Sequence, residues 1–256
     1  IMTEETNASE SEVQITPVEA SVLLSGAEWD PKLLATTLAQ EWEITVPEKD
    51  LPADASESLV FEAEGAVIAV KLFEEPLPAE MARMHAAMNP LWPQAGAMAQ
   101  LHRAHLAVAA IPKTASLVEA AQVLVKVVSS LCNQPSALAI DTGSTILGTD
   151  GYREGATVMK GGELPLFNLV TFAIAKADAF TMGMSFLGHN ELEISPTAEK
   201  PEVIQEFLYT VASYTLKTGK GLRDGQILGL HPEKAQAVRY AESSMIPGLK
   251  TMQITL

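Results

Sequence analysis

An α+β fold built from two ferredoxin-like halves around a buried helix is what this sequence predicts. Three observations lead there. Short alternating apolar runs recur along the chain, with stretches of helical periodicity between them. The order β-α-β-β-α-β, the ferredoxin-like signature, can be read twice. Between the two copies, Ser116 to Asn133 has a polar stripe too narrow for a surface helix.

The first half opens with a strand ending at Ser21–Leu24. Asp30 stands where an N-cap belongs and Pro31 at the first helical position. Leu34, Leu38 and Trp42 then recur every four residues, and the helix must stop before Val46-Pro47. Leu59, Phe61 and Ala63 alternate with Val60, Glu62 and Glu64, the period of a half-buried strand. Gly65 turns the chain into a second strand, Ala66 to Leu72, giving a hairpin. Helical text runs from Pro78 to about Ala104, broken by Asn89-Pro90-Leu91-Trp92-Pro93, and a strand from His105 to Ile111 closes the half.

In the linking helix, Glu119, Gln122, Lys126, Ser129 and Asn133 form the polar stripe, and Cys132 lies on the apolar side as an inert core thiol. The second half reads as a strand at Ala137–Asp141, a weak helix at Asp150–Lys160, and paired strands at Pro165–Ala175 and Phe180–Phe186. A helix follows with Val203, Ile204, Phe207, Leu208 and Val211 on one face, ending near Gly219. Met252, Ile254 and Leu256 point inward from a last strand. The expected organisation is an acidic disordered tail at 1–15, a first half at 16–112, the linking helix at 113–134 and a second half at 135–256.

Composition narrows function. The 256 residues carry a formal charge of −15 and a single cysteine. Nucleic-acid backbones and anionic membranes both require basic clusters, so neither is an expected partner. One thiol excludes an intrachain disulfide framework and a cysteine-rich zinc site. Residues 1–78 hold 17 acidic side chains against Lys32, Lys49 and Lys71. That asymmetry suits a solvated face or a docking surface for a basic protein partner. No apolar run is long enough for a membrane span, and no basic, apolar leader opens the chain, so a cytoplasmic location is expected.

Every catalytic pattern is incomplete. Leu138-Ala139-Ile140-Asp141-Thr142-Gly143-Ser144-Thr145 resembles the active-site loop of aspartic proteases, but there is no second such loop for a proton-sharing pair. Asp141 is therefore expected to be a turn residue. His102 and His105, three apart, have no nameable third ligand, so no metal or cofactor is expected. His189 stands near Glu191 and Glu193, a spacing compatible with acid–base work and equally with a polar strand end. Gly219-Lys220-Gly221 lacks the pattern of a phosphate loop, and Lys217, Lys220 and Arg223 read as a solvated basic loop.

A wider resemblance rests on several motifs taken together. These are Asn89-Pro90-Leu91-Trp92-Pro93, His102-Arg103-Ala104-His105-Leu106, Gly162-Glu163-Leu164-Pro165-Leu166, Phe186-Leu187-Gly188 through Glu191-Leu192-Glu193, and Asp224-Gly225-Gln226. Over roughly Ala20 to Leu256 the chain resembles the bacterial domain of unknown function 4261 family. The resemblance implies a bacterial, intracellular α+β protein and no particular chemistry. The expected function is a binding or interaction module, adaptor- or immunity-like. The alternatives are a hydrolase using Asp141 or the His102, His105 and Glu191 neighbourhood, or a small-ligand sensor with a cleft near Trp92. Trp92, His102, His105 and Glu191 are the candidate ligand-binding residues.

Overall fold

The computed structural model describes residues 16–175, 178–231 and 234–256. The acidic tail expected at 1–15 lies outside the described residues. Elements follow in the order β1 (Val18–Leu24), α1 (Pro31–Trp42), β2 (Leu59–Ala63), β3 (Ala66–Phe73), α2 (Ala79–Ala87), α3 (Ala95–Leu101) and β4 (Ala104–Pro112). Then come α4 (Leu117–Leu131), β5 (Ala137–Asp141), β6 (Ile146–Gly148), α5 (Thr149–Ala156), the one-turn α6 (Leu166–Leu169), β7 (Thr171–Ala175) and β8 (Asp178–Met182). The chain continues through β9 (Leu192–Ile194), α7 (Pro201–Thr218), β10 (Ile227–His231), β11 (Lys234–Glu242) and β12 (Lys250–Thr255). The fold is α+β, with two six-stranded sheets. Among the described residues no helix is long and apolar enough to cross a membrane.

The element order of the first half is as expected, but its pairing is not ferredoxin-like. The first sheet runs β2-β3-β4-β1-β5-β6, so β4 lies between β3 and β1 and every pairing is antiparallel. A ferredoxin-like half would set its first strand between the third and fourth, with both helices on one face. Here the helices are divided. Val22, Leu24 and Ile140 face α1 and α4, whereas the alternate residues Leu23 and Ala139 pack with Ala82, Ala86, Ala95 and Ala99 of α2 and α3 on the other face. With its helices on the opposite face, the β3-to-β4 connection brings β4 back beside β3 instead of carrying it over α1.

The expected boundary at residue 135 is likewise crossed by hydrogen bonds. β5, read as the start of a second half, pairs with β1 at Ser21–Asp141 and Val22–Ile140. The second sheet, β10-β11-β12-β9-β8-β7, begins later and includes β10 and β11, which had no strand reading. Its β12–β9 pairing is parallel and the others are antiparallel. The start of the expected Pro165–Ala175 strand is helical, because α6 turns at Leu166–Leu169 before β7 begins.

Local chemistry explains most of the helices. Asp30 accepts the Lys32 amide at 2.8 Å ahead of Pro31, and Gly219 closes α7 with a φ of 68°. In α4, Ser116 and Glu119 form a reciprocal capping box. α4 packs on β1, β4 and α1 on one side and on α5, α6 and the turn Ser185–Leu187 on the other, so one continuous core runs between the sheets. Ser129, expected on its polar stripe, is buried and donates to the Lys126 carbonyl at 2.9 Å. Cys132 is half-buried and hydrogen-bonded to the Val128 carbonyl, and burial pushes its thiol up to about 12, which disfavours the thiolate.

The β2–β3 hairpin turns at Glu64 and Gly65, with φ of 46° and 80°. The Gly65 carbonyl accepts the amides of Lys113, Thr114 and Ala115 within 3.0 Å, tying the hairpin to the entry of α4. A Cβ at Gly65 would lie 2.6 Å from Thr114 Oγ1 and 2.9 Å from the Ala115 nitrogen. Gly65→Ala should therefore cost about 1–3 kcal/mol of stability, read as a lower urea midpoint with an unchanged m-value. A midpoint equal to wild type would show that this close approach constrains nothing.

Candidate functional site

Asp141 ends β5 on the sheet face covered by α2 and α3, and it is buried. One oxygen accepts the Gly143 amide at 2.8 Å, the side-chain-to-backbone bond of an Asx turn, and Gly143 has a φ of 83°. The turn reading therefore stands, but the carboxylate does more. His85 Nδ1 lies 2.9 and 2.8 Å from its two oxygens. His85 had no assigned role in the sequence reading. The available signal was its spacing from Asn89, four residues on, which places both on one face of the α2 end. Asn89 donates to the Ile146 carbonyl at 2.9 Å, so the pair pins α2 and the residues after it to the β5–β6 hairpin.

The structure separates the four predicted ligand-binding residues. His102, at the end of α3, is buried, and its Nε2 accepts the Leu77 amide at 2.9 Å. Its Nδ1 lies 2.7 Å from the Ala99 carbonyl, which can only accept, so the ring is neutral with both nitrogens engaged. Burial, and then the neighbouring His105, lower its pKa against the opposing Ala99 bond. His105 lies in β4, donates from Nδ1 to the Glu75 carbonyl at 2.9 Å and stacks on Phe73 with ring centroids 5.0 Å apart. Among the described residues no three His, Cys, Asp or Glu side chains come together as a metal site.

Glu191 is far from both histidines in the fold, just before β9. Its oxygens receive the Gly183, Met184 and Ser185 amides and the Thr181 and Ser185 hydroxyls, at 2.8–3.2 Å. Five donors converge on one buried carboxylate, which fixes the turn 183–191. Glu193, two residues on, is also buried and accepts from Ser244 and Thr251. Burial acts to raise its carboxyl, but bonds from Ser243, Ser244 and Thr251 outweigh that and hold it below the usual range.

His102 borders a cavity of about 370 Å³ with Leu77, Arg83 and Arg103, and an open groove is lined by Trp92. Trp92 is half-buried, and its ring lies so close to Gly148 that a Cβ there would be 3.1 Å away. The groove, about 380 Å³, is bounded by Asn89, Leu91, Trp92, Leu147, Asp150 and Phe167, among others. Leu91 is 90% exposed and Phe167 56% exposed. Of the surface carboxylates in residues 16–78, Glu41, Glu62 and Glu64 pair with Arg153, Lys113 and Lys126. Among the described residues no ion pair engages Glu43, Glu48, Asp50, Asp54 or Glu57, which crowd the connection between α1 and β2. Lys217, expected in a solvated basic loop, lies in the last turn of α7 and is held by Glu163 at 2.7 Å.

Two measurements follow from this geometry. Removing the Asp141 carboxylate strands His85 and the Gly143 amide, so Asp141→Ala should lose about 1–3 kcal/mol of unfolding free energy. Casein hydrolysis at acid pH that vanished in Asp141→Asn would instead make Asp141 catalytic. His102 is favoured neutral in the folded chain, so its contribution is complete above the ordinary value of 6.5 and is lost progressively as pH falls below it. His189, also lowered by burial, acts with the same sign. The urea midpoint should fall over that window, less so in His102→Gln; a flat profile would contradict the neutral ring.

Residues 180–255 match the family model described as Domain of unknown function (DUF4261), the family that the sequence resembles. That span holds β8, β9, α7 and β10 to β12, including Glu191 and Glu193. Neither the curated proteins nor the solved structures give a match.

Proposed function

We propose that this chain, with its DUF4261 segment at residues 180–255, is a protein-binding module that captures a basic segment of a partner protein beside Trp92. The observation that carries this reading is Leu91, 90% exposed yet held between Pro90 and Pro93 at the rim of the groove. An apolar side chain that prolines hold out in water costs solvation in the free protein and gains it back on contact. Trp92 and Phe167 extend the same surface, and a half-buried tryptophan is a typical anchor at interfaces. Asp150 lines the groove and the whole chain carries −15, so complementary charge favours a partner rich in Lys and Arg. The internal engagement of His102, Glu191 and Asp141 supports binding over hydrolysis, because their polar atoms already have partners. Such a groove supports an adaptor-like role.

Peptides selected from a random library displayed on phage provide the test. Wild-type protein should enrich sequences that combine Lys or Arg with a bulky apolar residue. Recovery should fall at least tenfold on Leu91→Ser and drop with added salt. The variant should fold normally, since an exposed leucine contributes little stability. Enrichment of acidic peptides, or equal recovery on Leu91→Ser, would refute the groove as the docking site.

A further inference from the structure

A second cavity lies entirely within residues matched by the family model. It measures about 420 Å³, inside the range of small-molecule sites. Two segments well apart in sequence form it. One is the turn Ser185, Gly188, His189 and Asn190; the other is the end of α7 with its following loop, Thr215, Gly221 and Leu222. Leu192 and Met252 supply the apolar floor from β9 and β12. The contact between the segments is close, since a Cβ at Gly221 would stand 3.4 Å from His189 Nδ1.

Thr215 distinguishes this cavity from an accidental gap. Its side chain is 2% exposed, it lines the cavity, and among the described residues its Oγ1 has no hydrogen-bond partner. Hydroxyls in helices usually donate to the carbonyl one turn back, as Thr210 and Thr218 of the same helix do. A buried hydroxyl without a partner lowers stability, which a chain retains where the group serves a ligand. Glu191 fixes the opposite wall, because Ser185 spends both its amide and its hydroxyl proton on that carboxylate. With that proton committed to Glu191, the Ser185 hydroxyl keeps only acceptor capacity.

We infer that this cavity binds a small, neutral, polyhydroxylated molecule of about monosaccharide size. The polar groups around it, Ser185, His189, Asn190 and Thr215, offer both donors and acceptors, and no lysine, arginine or carboxylate lines it. Burial lowers the His189 pKa and so favours its neutral form. A charged ligand would lose water without gaining a counter-charge, whereas hydroxyls match the lining and C–H faces match Leu192, Leu222 and Met252. Glu191 acts as a positioning residue for the wall and does not touch the ligand.

The experiment is an NMR titration of the amides of residues 188–190 and 221–222 with D-glucose, D-ribose and myo-inositol at millimolar concentration. Glucose 6-phosphate and glucosamine serve as charged comparators. At least one neutral compound should shift these resonances and bind more tightly than its charged counterpart. Thr215→Val should weaken that binding about tenfold while leaving the unfolding midpoint equal or higher, since the methyl removes an unpartnered polar group. Leu91→Ser should bind as wild type, which separates this site from the Trp92 groove. No response to any neutral compound, tighter binding of a charged one, or wild-type affinity in Thr215→Val would each overturn the assignment.

Discussion

Helix α4 has almost no face left for solvent, and both sheets depend on that burial. Val123, Leu124, Val127, Val128 and Leu131 are all buried, and the elements around the helix belong to both parts of the chain. The start of α4 reaches the surface, where Ser116 and Glu119 cap it reciprocally, and the amides of residues 113–115 just ahead of it converge on the Gly65 carbonyl. The first sheet closes one side and the α5–α6 region the other. Removing either side would expose a long apolar surface, so the two sheets are joined by the hydrophobic effect as well as by the chain.

Carboxylates in this protein fall into two populations. Those of residues 16–78 stay at the surface, where water solvates them. Asp141, Glu191 and Glu193 are buried, and each is held by several donors. Burial of a charge is tolerable only with such compensation. In each case the carboxylate organises a turn: 141–145, 183–191 and 243–246. Acidic residues thus keep the surface hydrated in one region and determine loop shape in another.

Local features were legible in the sequence and long-range ones were not. Asp30-Pro31 marks the start of α1, Gly219 the end of α7, and the alternation around Gly65 the β2–β3 hairpin, because each depends on residues close in the chain. Strand partners depend on which face the helices cover, and the α2–α3 text is amphipathic without stating a side. Hence β4 took a place that element order alone assigned elsewhere. The same limit governed the sites. Asp141 was visible as a turn, but its partner His85 lies on another element. Glu191 was visible as a carboxylate near His189, but the amides that engage it carry no sequence signature. Among the four candidates Trp92 borders the groove shared with Leu91 and Phe167, and the neighbouring prolines were the cue.

The strand order of the second sheet also fixes when that sheet can exist during synthesis. β12 sits between β9 and β11, so until residues 250–255 have left the ribosome, β10 and β11 have no bridge to β9, β8 and β7. The first sheet has no such wait, since its last strand is made by residue 148. From residue 148 until β12 is made, about a hundred residues of translation, a nascent chain therefore carries one finished sheet and one incomplete sheet. Once β9 is made, and until β12 pairs with it, that edge of β9 offers unpaired backbone groups to chaperones and to other nascent chains.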